Sequence, residues 1–476
     1  MSLRLYSTLS GTKEEFVPIN PPQVNFFVCG PTVYDAMHLG HARTYIAFDV
    51  IVKYLRASGY EVFYLQNITD LDDKIIARAA EAGEAPQKLA ATFKAAYFKN
   101  LADLHIDSLS ATADASAYIP EIIQQITALI KKDYAYSSNG SVYFRTKKFP
   151  GYGKLAHQNI DELKAGARVE VSVEKEDPLD FDLWKKAKPG EPQWESPWGP
   201  GRPGWHIEDT AITEKFFGPQ YDIHGGALDL IFPHHECEIA QMEAASGKEP
   251  LARYWMHTGF LTIRGTKMSK SLHNFTTVND ILRKYPYEVL RMFTLGAHYR
   301  SPIDYDEKYL EQAQANTDTI LSFRLMLRAA ATYAIGHPGS AETDSFAALI
   351  AELRQSFARA MDDDFNTPQA IAALMVFINN ATTAFTTAVP TPALIQAMET
   401  ALNAIHAILG IMPDMPAIPE EITKLANRRE AERARKDWAA ADALRDQLKR
   451  QHWEILDTLF GPVLIPVHTS PLTKVH

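Results

Sequence analysis

Cysteine is almost absent: Cys29 and Cys237 are the only two in 476 residues. Two thiols cannot build a disulfide framework, and their scarcity suits a reducing compartment. No apolar run approaches the roughly 20 residues that cross a bilayer, and no secretory-signal pattern is seen. The expectation is a cytoplasmic chain with no membrane partner. Positive charge is also short, with 48 Lys and Arg against 58 Asp and Glu, a net charge of −10. That excludes a chain that coats nucleic acid indiscriminately and leaves such contacts to a local basic surface. The P-loop pattern G-x-x-x-x-G-K-[ST] is missing, so any phosphate must be held by other means. What remains is an ordinary globular composition, 46% apolar and 22% charged, in a length suited to about three domains.

The chain is organised around Asn25 to His41. Val24 to Val28 reads as a buried strand that stops at Cys29 and the breaker pair Gly30-Pro31. His38-Leu-Gly-His41 then opens a helical segment, Ala42 to Leu55, and a second strand runs from Glu61 to Ile68 before Thr69-Asp70. Strand, helix, strand at this spacing predicts a βαβ unit of a parallel sheet, whose ligands sit beyond the carboxyl ends of the strands. Cys29, His38, His41, Thr69 and Asp70 all fall there. Gly40 lets a nucleotide approach the backbone at a helix start, and His38 and His41 can donate to phosphate oxygens. On the motif alone, two ordinary surface histidines remain an equal alternative.

Two further stretches carry chemistry. In the first, Tyr221 to Ile223 reads as a short strand breaking at Gly225-Gly226, and Pro233 as the first turn of a helix bearing His234 and Glu238. At i and i+4 these two share a face; with Cys29 and one more donor they would make a tetrahedral zinc site, against the plain reading of a surface pair. The second is Lys267-Met-Ser-Lys-Ser271. Lys267 and Lys270, three apart in a flexible loop, can act as point charges on a departing polyphosphate. Alone, K-x-x-K reads as a solvated face; the order H-x-G-H, then K-M-S-K-S, carries the weight. Between these stretches, Asp107 to about Pro200 is irregular and reads as an insertion, closed by a Trp-, Pro- and Gly-rich loop, Pro192 to Trp205.

With these residues in view, the chain resembles class I aminoacyl-tRNA synthetases and, within them, the cysteinyl-tRNA synthetases. The resemblance rests on Phe27-Val-Cys-Gly-Pro-Thr-Val-Tyr-Asp35, His38 to His41, Asn67 to Lys74, Gly201-Arg-Pro-Gly-Trp-His-Ile-Glu208, the His224 to Ala240 run and Lys267 to Ser271. It continues through His298 to Ser301 and Met361 to Pro368 as far as Arg445. It implies an α/β fold: a Rossmann-like parallel-sheet catalytic domain split by an α/β insertion, then an α-helical bundle and a small C-terminal tRNA anticodon-binding domain. The expected divisions are 1–110, 111–200, 201–284, 285–410 and 411–476.

The resemblance also implies roles. His38, His41, Lys267 and Lys270 would be catalytic; Gly30, Pro31, Thr32, His38, Gly40, His41, Gly225, Gly226 and Lys270 would line the ATP site. Cys29, Gly30, Thr69, Trp205, His206 and Asp229 would form the cysteine pocket, with Asp229 near the α-ammonium. One Zn2+ would bind the substrate thiolate and so reject serine, and Mg2+ would accompany ATP. The partners would be L-cysteine, ATP and tRNA(Cys), and the chain a monomer. The zinc ligands would be Cys29, His234 and Glu238, with a fourth that departs from the family: where a cysteine is usual, this chain has Asp209. The expected set is therefore Cys29, Asp209, His234 and Glu238, with Cys237 as a rival thiolate. A cysteine ligase acting on an amino sugar and a non-catalytic tRNA-binding paralogue are the other readings. Toward the C-terminus, Lys424 to Trp453 reads as one charged helix with nine Lys/Arg against five Asp/Glu, a candidate face for tRNA phosphates. The run Asp362-Asp-Asp364 reads as a loop before a capped helix at Thr367-Pro368.

Overall fold

The computed structural model describes residues 2–158, 174–263, 265–267, 275–335 and 343–467. The chain divides into two compact units, one of Ser2–Asn279 with Tyr299–Asp304, the other of Asp280–His298 with the chain from Tyr305 onward.

The first unit is built on five strands, β1 (Gln23–Val28), β2 (Glu61–Ile68), β3 (Ala111–Asp114), β4 (Tyr221–Ala227) and β5 (Ala252–Thr258), in the order β5-β4-β1-β2-β3. Every neighbouring pair is parallel, with Phe27 opposite both Leu65 and His224. Three apolar residues in a row, Phe26, Phe27 and Val28, are fully buried, as a strand covered on both faces requires. Helix α1 (Leu39–Ala57) joins β1 to β2, the predicted βαβ unit. Sequence order reverses between β1 and β4, so a crevice opens beyond their carboxyl ends, the usual ligand position in such sheets.

Between β3 and β4 lies a four-stranded antiparallel sheet of Ala135–Ser138, Ser141–Phe144, Phe181–Lys186 and Gly201–Pro203, followed by helix α2 (Trp205–Phe217). Several local expectations need correction. Ala111–Asp114, assigned by sequence to the insertion, pairs with β2, and Gly201–Pro203, assigned to the catalytic half, pairs with the insertion's strand. The Trp- and Pro-rich loop therefore ends in a strand and a helix start. The Gly225-Gly226 pair does not break β4; both glycines lie inside it, because a Cβ at Gly226 would stand 2.7 Å from the His235 ring. His234 precedes rather than joins helix α3 (Glu236–Ser246), sitting in the wide turn Ile231–His235.

The second unit is helical. Glu307–Ala334, Thr343–Asp362, Thr367–Ala384 and Pro392–Leu409 form a bundle, and Asn366 caps the third of these through the Gln369 N–H, as the loop-and-cap reading of 362–368 expects. The single helix expected over 424–453 is two, Glu420–Ala434 and Trp438–Arg450. The break falls at Lys436, whose φ of 64° no helix accommodates. A hairpin, Trp453–Thr458 with Gly461–Pro466, packs Trp453, Ile455 and Leu464 against Ile422, Ala426 and Leu448.

Candidate metal and nucleotide site

Cys29 leaves the end of β1 and meets donors from three other elements. Its thiol donates to Asp209 Oδ2 at 3.3 Å, and its Sγ lies 3.9 Å from Glu238 Oε1. His234 Nε2 is 3.1 Å from Asp209 Oδ2 and 3.2 Å from Glu238 Oε1. All four are buried, so the predicted set Cys29, Asp209, His234 and Glu238 is brought together as potential metal donors. Cys237 is not part of it: its Sγ pairs with Tyr152 OH at 3.4 Å, so the rival thiolate points elsewhere.

Electrostatics favour a cation here. Burial, and then the charges of Asp209 and Glu238, push the Cys29 thiol well above its ordinary value; burial and Asp209 do the same to the Glu238 carboxyl. Three acidic groups closed off from water repel one another unless a positive charge joins them, and a coordinated thiol gives up its proton. Among the described residues, Glu238 Oε2 is buried without a hydrogen-bond partner. A sulfur, an imidazole and two carboxylates fit zinc.

The surrounding side chains orient these donors. The Asn67 amide donates to Asp209 Oδ1 at 2.6 Å, and its own oxygen accepts from Gly30 N at 2.6 Å. Only glycine fits at position 30, because a Cβ would run into the Asn67 carbonyl. Trp205 stacks on His234 at 4.0 Å, and His206 Nδ1 lies 2.7 Å from His234 Nδ1. Thr69, whose Oγ1 accepts from Asn67 Nδ2 at 3.3 Å, reaches the same cluster, and Thr32 pairs with it across the strand ends. Pro31 O accepts from Thr69 N at 3.2 Å. Asp229 is exposed, in the turn after β4.

Sequence reasoning missed Asn67 as a site residue, and with it His224, His235 and Glu208. His224 Nε2 and His235 Nε2 stand 3.5 and 3.1 Å from Cys29 Sγ. Burial drives both imidazoles well below their ordinary value, and His257 behind them to about 3, so they are neutral with a lone pair available. The signal was present: His224 lies in the strand that follows Tyr221, and His235 adjoins His234. Glu208 is fully buried beside Asp209, and burial pushes its carboxyl well up.

At the start of α1, His38 Nδ1 accepts from His41 N at 3.3 Å and the two rings stack at 3.8 Å. Gly40 leaves the space beside the His38 ring that a Cβ would crowd at 3.0 Å. Leu39 N donates to Thr276 O at 3.1 Å and Val278 N to Met37 O at 3.0 Å. The chain following Lys267–Ser271 is thereby laid against the His38 turn. Lys267 pairs with Thr262 in a short hairpin; Lys270 lies outside the described residues.

Comparison with known proteins agrees with this geometry. A family described as "tRNA synthetases class I (C) catalytic domain" matches residues 15–315, and a "DALR domain" matches 356–413. Among solved structures, Mycobacterium tuberculosis methionyl-tRNA synthetase in complex with methionyl-adenylate superposes with a TM-score of 0.61 at 18% identity, covering 81% of this chain and 92% of that one, a likeness of fold. Sheet, crevice and both histidine-bearing turns thus define a class I aminoacyl-tRNA synthetase. Cysteine–tRNA ligases of Carboxydothermus hydrogenoformans and Geobacter metallireducens are each 45% identical, covering 96% and 97% of this chain and 99% of their own lengths. The chain belongs to the cysteine–tRNA ligase family.

Proposed function

We propose that this protein activates L-cysteine with ATP and transfers it to the 3′ end of tRNA(Cys). The observation that carries the reading is the buried convergence of Cys29, Asp209, His234 and Glu238 at the crevice beyond β1 and β4. Zinc held there would supply a centre that takes the substrate as a thiolate and discriminates against a hydroxyl. Trp205, His206 and Thr69 wall the amino acid, and Asp229 receives its ammonium. Gly30, Pro31, Thr32, Gly40, Gly225 and Gly226 let ATP, carried with Mg2+, lie close to the backbone. The cysteine carboxylate attacks the α-phosphorus, the bond to pyrophosphate breaks, and His38, His41, Lys267 and Lys270 stabilise the charge that builds on the phosphates. The tRNA terminal hydroxyl then attacks the carbonyl carbon of the adenylate, an ester bond forms, and the acyl–phosphate bond breaks to release AMP.

The two halves of the catalytic domain lie within about 1–110 and 201–284, with strand Ala111–Asp114 added to the first half and Gly201–Pro203 given to the intervening insertion; 285–410 contact the tRNA stem and 411–476 the anticodon. Near full-length likeness to cysteine–tRNA ligases, with a DALR match in the helical unit, favours tRNA over an amino sugar as acceptor. ATP–pyrophosphate exchange tests the reading. Strong exchange with cysteine and almost none with serine is expected; no exchange with cysteine, in folded and zinc-supplied protein, would leave a binding paralogue instead.

A further inference from the structure

Two residues after His41, helix α1 turns a guanidinium into the interior: Arg43 is 2% exposed. Burial draws its pKa down to about 10, so it keeps its charge near neutral pH. A cation taken out of water needs hydrogen bonds in place of hydration. Nη1 donates to Gly259 O at 2.8 Å and Phe260 O at 2.5 Å, and Nη2 to Tyr299 O at 3.2 Å and to Ser301 O. Four carbonyls from two separate segments converge on one side chain. A planar fork of fixed donors can serve them together; a single ammonium cannot.

The segments it joins lead to the lysine motif. Gly259-Phe260 leaves β5 and runs directly into the hairpin of Leu261–Ile263 and Thr266–Lys267. Residues 299–303 lie alongside, with Gly259 N donating to Tyr299 O at 2.8 Å and Ile303 N to Phe260 O at 2.9 Å. A Cβ at Gly259 would stand 2.5 Å from Arg300 O, so only glycine permits this approach. Asp304 braces the hairpin turn, accepting at Oδ1 from the Thr262 hydroxyl at 2.7 Å and from Gly265 N at 3.0 Å. Thr44, beside Arg43, shares a hydroxyl hydrogen bond with Thr258 at 2.8 Å. Beyond the motif, Thr276 and Val278 bond to Leu39 and Met37. The chain that carries Lys267 is therefore tied to the start of α1 both where it arrives and where it returns, all within the first unit.

We propose that Arg43, with Asp304 as its brace, is a positioning residue for amino-acid activation: it holds the base of the Lys267 hairpin at a fixed distance from His38 and His41. Its effect passes through the backbone that carries Lys267. Donors to the departing pyrophosphate come from both sides of that distance, and a misplacement of about 1 Å between converging groups costs on the order of a hundredfold in rate. The inference rests on the activation chemistry proposed above and is independent of the metal.

Two assays on the full chain separate positioning from a general loss of structure: pyrophosphate exchange, and single-turnover transfer of preformed cysteinyl-adenylate to tRNA. Activation expels pyrophosphate, whereas transfer expels AMP and does not call on the lysine hairpin. Arg43→Lys keeps the charge and loses the fork. It should lower kcat for exchange by about tenfold or more, with KM for cysteine, the transfer rate and zinc content within about twofold of the parent. Asp304→Ala, at an exposed position, should lower the same kcat about threefold and leave KM for cysteine unchanged. An unchanged kcat in folded Arg43→Lys, or an equal loss in transfer, overturns the proposal; if Arg43→Lys does not fold, Asp304→Ala decides by the same two criteria. A parent chain that performs no exchange would instead overturn the activation reading, a result distinct from any difference between parent and variant.

Discussion

Asn67 shows how much of the site depends on a residue that never touches the metal donors' open side. Its amide ties Asp209 to the backbone of Gly30, so one side chain fixes the fourth donor and the turn after β1 together. Asn67→Ala leaves a buried N–H and a buried carboxylate short of partners, which costs about 2 kcal/mol. Urea unfolding should register that loss, and KM for cysteine should rise with it. The two cysteines separate cleanly at the same scale. Cys29 is one of the four donors, so Cys29→Ser should lower zinc affinity at least tenfold. Cys237→Ala should leave zinc stoichiometry unchanged and remove packing together with the weak contact to Tyr152 OH, about 1 kcal/mol. Metal content after dialysis against a chelator distinguishes the two.

At the scale of elements, the start of α1 carries a helix cap and, in the proposed reaction, a donor to phosphate, two contributions of different size. His38 caps the helix through a long hydrogen bond from His41 N, 3.3 Å. Losing that cap costs about 0.5 kcal/mol. Losing a donor to the developing phosphate charge lowers the rate by roughly a hundredfold or more. His38→Ala should therefore melt almost as the parent does and fail in pyrophosphate exchange. In the helical unit, Arg429 holds Asp457 through paired bonds of 2.7 and 2.9 Å, linking Glu420–Ala434 to the terminal hairpin. The Arg429 hydrogen bond, opposed by partial burial and aided by the charges of Arg429 and Arg433, keeps the Asp457 carboxyl below the usual carboxylate range. A depressed acid stabilises the fold above its unfolded pKa, and that contribution disappears as pH falls through the lower folded value. Asp457→Asn should thus cost about 1 kcal/mol at neutral pH and progressively less below about pH 4. Hairpin amide exchange followed against pH would check it.

For the whole molecule, the contrast between a net charge of −10 and a basic C-terminal region matters most. Not all of that basic charge is available to RNA. Arg429 and Arg433 are engaged with Asp457, whereas Arg445, Lys449 and Arg450 lie exposed on one short helix. If these three meet phosphates, replacing them with alanine should reduce the slope of log affinity for tRNA against log salt by about 2. Pyrophosphate exchange, which needs no tRNA, should not change. An unaltered salt slope would place the tRNA surface elsewhere. No helix among the described residues is long and apolar enough to cross a membrane.

The sequence by itself determined the βαβ unit and the i,i+4 spacing of His234 and Glu238, because each depends on local order, whereas Asp209 entered the expected donor set only through the family resemblance. An unbroken apolar run makes a strand, a histidine beside a glycine makes a helix start, and i,i+4 spacing lets His234 and Glu238 reach one point even though His234 sits in the turn that precedes α3. Tertiary structure alone decided which strands stand side by side. The register that sets Phe27 against His224 carries that imidazole to Cys29, across almost two hundred residues of chain. It also paired Ala111–Asp114 with β2 and admitted Gly226 into β4, where His235 leaves no space for a Cβ. Local propensity cannot foresee such contacts, since their energy comes from groups distant in sequence that only the folded sheet brings together.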